Sequence, residues 1–148
     1  MEMYLKGFLI ALKGAPITVG VSLVAVIIGT LFGLVFALMK KSETKIISLV
    51  SKAYIEIVRG TPMIVQALIM AYGIPVLLKE NGIDFNWPHL IIPALVVCGL
   101  NSAAYMAEII RGGIQAVDHG QIEAAQSLGM SKSQINKLII LPQAFRIV

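Results

Sequence analysis

Three stretches without a charged residue dominate this 148-residue sequence, at positions 17–39, 60–78 and 88–107. They contain 23, 19 and 20 residues, and a helix of about 20 residues crosses the hydrocarbon layer of a bilayer. Only 14% of the residues are charged, whereas a soluble domain carries about 25%. The sequence therefore predicts an all-α membrane protein with spans at 17–39, 60–78 and 88–110, and it excludes a soluble globular domain.

The residues around the first stretch indicate that it stays attached to the chain. A cleavable signal peptide has an apolar core of about 7–15 residues and then a small-residue cleavage site, whereas Lys40 and Lys41 directly follow this stretch. Residues 1–15 place apolar side chains on one helical face beside two lysines. This pattern predicts a short interfacial helix, with a frayed lead-in to the span as the alternative.

The basic residues predict how the spans are oriented. Five Lys or Arg lie between the first two stretches and four follow position 110, but only two precede the first stretch and one lies between the second and third. Because cytoplasmic loops carry an excess of Lys and Arg, we expect the N-terminus outside and the C-terminal segment in the cytoplasm. The basic residues flank apolar stretches, so they favour membrane lipid and not nucleic acid as the partner.

The polar residues give little support to metal binding or catalysis. The single cysteine, Cys98, lies in an apolar stretch, and His89 and His119 are far apart with no ligand-type neighbour. There is also no G-x-x-x-x-G-K-[ST] phosphate loop. The chain is therefore predicted to hold no metal or cofactor and not to be an enzyme; an intramembrane enzyme, the alternative, would need a catalytic pair at one depth.

The segment at 119–142 is interrupted by polar residues and is predicted to be a helix-turn-helix at the membrane face. Gly129 can adopt the left-handed conformation that ends a helix. Ser131 and Gln134 fit the S-x-x-Q capping box that begins the next helix.

This segment carries residues at fixed spacing that define a motif. They are Glu123, Ala124, Ala125, Gly129, Ile139, Leu141 and Pro142. The pattern, EAA-x3-G-x9-I-x-L-P, resembles at every fixed position the EAA loop of bacterial ABC-importer permeases. The resemblance implies that these seven residues couple the chain to a separate ATPase subunit, which grips the loop.

Two further stretches narrow the resemblance. Residues 54–62 are similar to the E-x-x-R-G-T-P segment of the polar amino acid permease group, and residues 105–114 are similar to its A-E-x-x-R-G-G-I segment. The sequence thus resembles the histidine/glutamine/arginine permease family. Such permeases continue past the loop with about two more spans, whereas this sequence stops at Val148. The resemblance implies one permease domain over 1–148, an incomplete five-helix type I importer permease ending in the start of a further helix.

The resemblance also implies a function and its partners. The chain would be the permease subunit of an ATP-driven importer for polar amino acids in the inner membrane of a bacterium, with its EAA loop in the cytoplasm. ATP would bind to the ATPase subunit, a second permease copy or a homologue would complete the path, and an extracytoplasmic amino-acid-binding protein would deliver solute. A truncated remnant or membrane scaffold without transport, and a permease of this fold for another small solute, are the alternatives.

Polar residues within the second and third stretches are candidates for the substrate path. Asn101, Tyr105 and Glu108 recur at spacings of four and three, Ser102 lies beside them, and Gln66 has a comparable depth in the second stretch. An unpaired amide facing lipid is costly, so this face is expected to look inward. Gln66, Asn101, Ser102 and Tyr105 would then bind a small zwitterion; hydrogen bonding between helices without a ligand is the alternative.

Two pairs of opposite charges lie three positions apart, Glu56 with Arg59 and Glu108 with Arg111. Each fits a local ion pair within one helix. The alternative is a gate, in which the charges pair across spans in one state and separate in another.

Overall fold

The computed structural model describes residues 2–147, and the regular structure in this range is helical. The helices are α1 (Glu2–Lys40), α2 (Lys45–Gly60), α3 (Met63–Leu68), α4 (Ile74–Glu80), α5 (Ile91–Gln115), α6 (His119–Ser127), α7 (Lys132–Ile135) and α8 (Leu141–Ile147). Short π-helical segments at Ile69–Gly73 and Asn136–Ile140 join α3 to α4 and α7 to α8. The predicted all-α fold is confirmed.

Three helical stretches are long and apolar enough to cross a membrane: Met3–Lys40, Met63–Glu80 and Ile91–Gln115. They coincide with the three charge-free stretches of the sequence, with different ends. The predicted N-terminal segment and the first predicted span form one continuous helix, α1, because the helical backbone continues through Pro16. The second stretch starts at Met63 and not at position 60, since Pro62 has an extended backbone and precedes α3.

Two glycines let α1 and α5 approach closely. A Cβ atom at Gly29 would lie 2.5 Å from Cβ of Ser102, and one at Gly33 would lie 2.7 Å from Cβ of Met106. Carbon atoms in normal contact are about 3.5–4.0 Å apart. The two helices can lie this close only because both positions are glycine, whose side chain is a single hydrogen atom. Other membrane helices make such small-xxx-small contacts.

Helix α2 occupies a region that the sequence analysis treated only as a connection. Its Ser51 and Ile55 are buried, and Ser51 Oγ donates a hydrogen bond to the Phe36 carbonyl of α1 at 2.7 Å. Tyr54 stacks on Phe36 with ring centroids 4.1 Å apart, and its hydroxyl donates to the Leu100 carbonyl of α5 at 2.6 Å. Helix α2 thus lies across α1 and α5 and ties them together.

The core of this three-helix junction is small and apolar. Ala37 of α1, Ile55 of α2, and Ala107 and Ile110 of α5 form one buried cluster. Burial also raises the pKa of the Tyr54 phenol, so its hydroxyl keeps the proton that it donates at neutral pH.

The connection from α4 to α5 is anchored to the π-helical segment. Trp87 Nε1 donates to the Met70 carbonyl at 2.8 Å, and the ring of Phe85 meets Trp87 edge-on at 5.0 Å. Gly82 has a φ of +81°, which glycine adopts without strain. This aromatic pair therefore holds the connection against the middle of the second span.

Candidate functional site

The residues after α5 form the predicted helix-turn-helix, which we call the coupling element (residues 119–142) after the role that the resemblance implies for it. The side chain of Asp118 accepts hydrogen bonds from the N–H groups of Gly120 and Gln121 and begins α6. Gly129 has a φ of +77°, and the Met130 N–H bonds back to the Ala125 carbonyl at 3.1 Å. This geometry is a glycine-terminated helix end.

The second helix of the coupling element starts as predicted. Ser131 Oγ accepts from the Gln134 N–H, and the Gln134 side chain accepts from the Ser131 N–H. This reciprocal pair is a capping box, which satisfies two N–H groups that would otherwise lack partners. Sequence analysis identified this box and the glycine, but missed Asp118; an aspartate immediately before the helix is the signal that identifies an N-cap.

A buried apolar cluster fixes the angle between the two helices of the coupling element. Val117, Ala125, Ile135 and Ile140 form this cluster, and Ile139 packs against it. The turn is therefore held by side chains from both of its arms as well as by its caps.

The seven motif residues divide between this cluster and the surface. Ala125 is buried and Ile139 and Leu141 are half-buried, whereas Glu123, Ala124, Gly129 and Pro142 are exposed. Next to the glycine, Leu128 is 83% exposed, the highest value for a large apolar residue in the part of the chain that the structure describes. The outer face of α6 and the turn after it thus present a carboxylate, a small residue, an exposed leucine and a glycine.

A second site is a cluster of charges around Glu108. One carboxylate oxygen lies 2.5 Å from Lys40 Nζ, and the other lies 2.8 Å from an Arg111 nitrogen and 3.8 Å from an Arg59 nitrogen. The Glu108 side chain is only 16% exposed, so water screens these contacts weakly. One carboxylate of α5 therefore joins this helix to the ends of α1 and α2.

Of the two predicted local ion pairs, the structure shows the one between Glu108 and Arg111 and a different partner for Arg59. Glu108 and Arg111 form the local pair, and Arg111 also donates to the Gln115 side chain. Arg59 instead pairs with Glu108, while Glu56 is exposed and forms no ion pair among the described residues. Arg59 reaches α5 because α2 packs against that helix. The Cζ atom of Arg59 also lies over the Tyr105 ring, 5.2 Å from its centroid.

The candidate substrate-path residues do not form one cluster. Gln66 Nε2 donates to the Val58 carbonyl at 2.8 Å and to Thr61 Oγ1 at 2.6 Å, at the junction of α2 and α3. Ser102 packs against Gly29 of α1. Asn101 is half-buried and Tyr105 is 47% exposed, so these two remain as polar groups on an accessible face of α5.

Lys40 is a site residue that the sequence patterns do not predict. Its place directly after the first charge-free stretch indicates a cytoplasmic charge, and only the structure shows its partner, a carboxylate on another span. Among residues 2–147, no three His, Cys, Asp or Glu side chains lie close enough together to hold a metal ion.

Three apolar spans followed by a capped helix-turn-helix define a polytopic membrane protein with an exposed helical turn after its third span. The model of the family described as "binding-protein-dependent transport system inner membrane component" matches residues 7–148. The chain belongs to this family, whose members are inner-membrane proteins, and the resemblance found in the sequence is confirmed.

Individual relatives are transport permeases. The arginine transport system permease protein ArtQ of Bacillus subtilis is 42% identical over 135 residues, which cover 91% of this chain and 59% of ArtQ. The putative glutamine transport system permease protein GlnP of Rickettsia prowazekii is 38% identical, with 97% and 65% covered. The probable amino-acid permease protein YxeN of Bacillus subtilis is 37% identical, with 98% and 63% covered. The chain thus spans less than two thirds of the length of these relatives.

Two solved structures have a similar fold. A crystal structure of an amino acid ABC transporter with histidines superposes with a TM-score of 0.78 at 42% identity, covering 95% of this chain and 66% of that one. An inward-facing conformation of the MetNI methionine ABC transporter gives a TM-score of 0.58 at 19% identity, covering 91% and 61%. The second likeness bears on the fold alone.

Proposed function

We propose that this chain forms the membrane path of an ATP-driven importer for polar amino acids and couples it to a separate ATPase subunit. The relatives named for arginine and glutamine transport support the substrate class. ATP would bind to the partner ATPase, a second permease chain would complete the path, and an extracytoplasmic binding protein would deliver the amino acid.

The exposed face of α6 is the observation that carries this proposal. Glu123, Ala124, Leu128 and Gly129 point away from the chain, while Ala125 and the capping bonds hold the turn rigid. A short rigid helix with an apolar side chain and little bulk suits insertion into a groove of another protein. Because the turn is fixed by its own core, a movement of the partner would be transmitted to α5 and α8.

Co-purification with candidate ATPase subunits tests the coupling role. Gly129→Asp places a charged side chain on the docking face at a positive φ, and we expect it to abolish association while membrane insertion is unchanged. Gly82→Asp is the matched control, because Gly82 also has a positive φ and open space around it but lies between the second and third spans. Retained association of Gly129→Asp would contradict the coupling role.

Leu128→Ser provides an independent variant. Its side chain makes little contact within the chain, so folding does not depend on it. We expect weaker association with the ATPase and an unchanged unfolding temperature; a drop in unfolding temperature with normal association would assign Leu128 to internal packing.

We further propose that the coupling element lies in the cytoplasm and the connection between α4 and α5 outside. In a Cys98→Ser background, a membrane-impermeant maleimide added to intact cells should label Asp84→Cys and should not label Ser133→Cys. Both positions are exposed, so the difference reports the side of the membrane. The reverse labelling pattern would overturn the orientation.

The charge cluster around Glu108 is proposed to act as an internal gate. It links three helices that meet near the end of the path, so a movement of α5 with the coupling element would stretch these ion pairs. Crosslinking between Ala37→Cys and Ala107→Cys, which lie in the buried cluster beside these charges, with and without ATP in the assembled transporter, tests whether α1 and α5 separate here; equal yields in both states would exclude a gate.

A further inference from the structure

A cleft of about 670 Å³ lies between the end of α1, helix α2, the end of α5 and the coupling element. Its basic lining residues are Lys40, Lys41, Lys52, Arg111 and His119. Ligand pockets in proteins have volumes of about 300–1,000 Å³. The cleft is therefore large enough for a head group and is lined by residues that favour an anion.

Little of this positive charge is neutralised by neighbouring acids. Glu108 pairs with Lys40 and Arg111, and the Asp118 carboxylate is hydrogen-bonded to the N–H groups at the start of its own helix. Lys41 and Lys52 are exposed and form no ion pair among the described residues. The cleft consequently keeps at least two cations available for a ligand.

The remaining wall of the cleft is apolar. Ala37, Ile114, Val117, Ile122 and Ile140 line it. A free phosphate gains nothing from such a surface, whereas a lipid head group is covalently joined to glycerol and acyl carbons that can cover it. The combination of cations and apolar wall favours an amphiphilic anion over a small inorganic one.

The cleft also lies at the depth of a membrane surface. It begins where the apolar span of α1 ends in Lys40 and Lys41, which is the level at which phospholipid phosphates meet basic side chains. We propose that the cleft binds the phosphate head group of an anionic phospholipid, with Lys41 and Lys52 contacting the phosphate. This inference depends on the spans and the cleft, and not on the transport function.

A bound lipid would contact two parts of the fold at once. Lys41 and Lys52 belong to the region of α1 and α2, whereas His119, Ile122 and Ile140 belong to the coupling element. Occupancy would therefore stabilise the position of the coupling element against the spanning helices, and the folded state would gain stability as lipid is added.

The test is thermal unfolding of the purified chain in a neutral detergent, followed by Trp87 fluorescence, with native mass spectrometry to count bound lipid. The probes are dioleoyl-phosphatidylglycerol, dioleoyl-phosphatidylcholine and glycerol-3-phosphate. We expect a saturable rise in Tm with phosphatidylglycerol alone. An equal rise with phosphatidylcholine, or with glycerol-3-phosphate at the same concentration, would overturn the proposal of an anionic-lipid site.

Charge variants locate the site within the chain. The double variant Lys41→Gln/Lys52→Gln should raise the phosphatidylglycerol midpoint by about tenfold or more, since each surface lysine adds about a fivefold preference for anionic lipid. Lys41→Arg/Lys52→Arg should bind as the wild type does. The control, Lys132→Gln/Lys137→Gln, removes the same charge from the coupling element outside the cleft. An equal loss in the control, or none in the cleft variant, would contradict this location.

Discussion

Lys40 and Glu108 are 68 positions apart in the sequence, yet Nζ of the lysine lies 2.5 Å from a carboxylate oxygen of the glutamate. This contact joins the end of the first span to the third, and Arg59 and Arg111 bind the other carboxylate oxygen. A single acidic side chain thus neutralises part of the charge of three cations where three helices meet, at a place where water screens poorly.

The first prediction concerns this carboxylate. Glu108→Gln keeps the shape of the side chain but removes its charge, so we expect a loss of about 1.5–3 kcal/mol in unfolding free energy, the range for hydrogen bonds to charged groups. Thermal and denaturant unfolding in detergent measure it. Glu56→Gln is the control, since Glu56 is exposed, and an equal loss in both variants would exclude a special role for Glu108.

The second prediction concerns the contact between α1 and α5. Gly29→Ala places a carbon atom 2.5 Å from Cβ of Ser102, which forces the helices apart, and overpacking of this kind costs about 1–3 kcal/mol. Gly20→Ala on the same helix meets no atom within 4 Å and should leave the unfolding temperature unchanged or slightly higher. Identical unfolding of both alanine variants would show that the close approach contributes nothing to stability.

The third prediction concerns the junction between α2 and α3. Gln66→Leu removes the amide that donates to the Val58 carbonyl and to Thr61, so the end of α2 should open locally. Tryptic cleavage after Arg59 should become several-fold faster, with cleavage after Lys79 as the internal reference. Thr61→Val removes the same contact with Gln66 and also the bond that Thr61 Oγ1 donates to the Ile57 carbonyl, so the double variant should fall short of the sum of the two single effects; full additivity would mean that the two side chains act separately.

The fourth prediction concerns the substrate path. Asn101→Leu should lower amino-acid-stimulated ATP hydrolysis of the assembled transporter by about tenfold or more, the effect of losing one hydrogen bond to a charged substrate group. Leu100→Ile at the neighbouring position should leave stimulation intact, and both variants should assemble normally. Unchanged stimulation in Asn101→Leu would give this residue a structural role only.

Helix α2 has a helical pattern in its sequence that lies within a segment rich in basic residues. Ser51, Tyr54, Ile55 and Val58 recur at helical spacing, and the structure buries the first and third of them fully. The basic residues of the same segment, taken alone, predict a charged connection between two spans. An amphipathic helix that carries its charges on the exposed face satisfies both observations.

Gln66 and Ser102 illustrate what a sequence pattern leaves open. Both are polar residues within apolar stretches, and the sequence supports a ligand or a neighbouring helix equally. The structure places Gln66 on carbonyl and hydroxyl groups at the end of α2 and Ser102 against a glycine of α1. These contacts depend on how each helix is rotated, which the hydropathy of one stretch does not specify.

The sequence by itself determined the three spans, the glycine turn and the capping box of the coupling element. Each depends on residues that are contiguous or a few positions apart, since hydropathy over 20 residues and hydrogen bonds within one helical turn are local properties. The tertiary structure alone decided that Arg59 pairs with Glu108 instead of Glu56, that Gly29 faces Ser102, and that basic residues from four helices share one cleft. These relationships require helices to meet at particular rotations and crossing angles, which are set by packing across the whole fold.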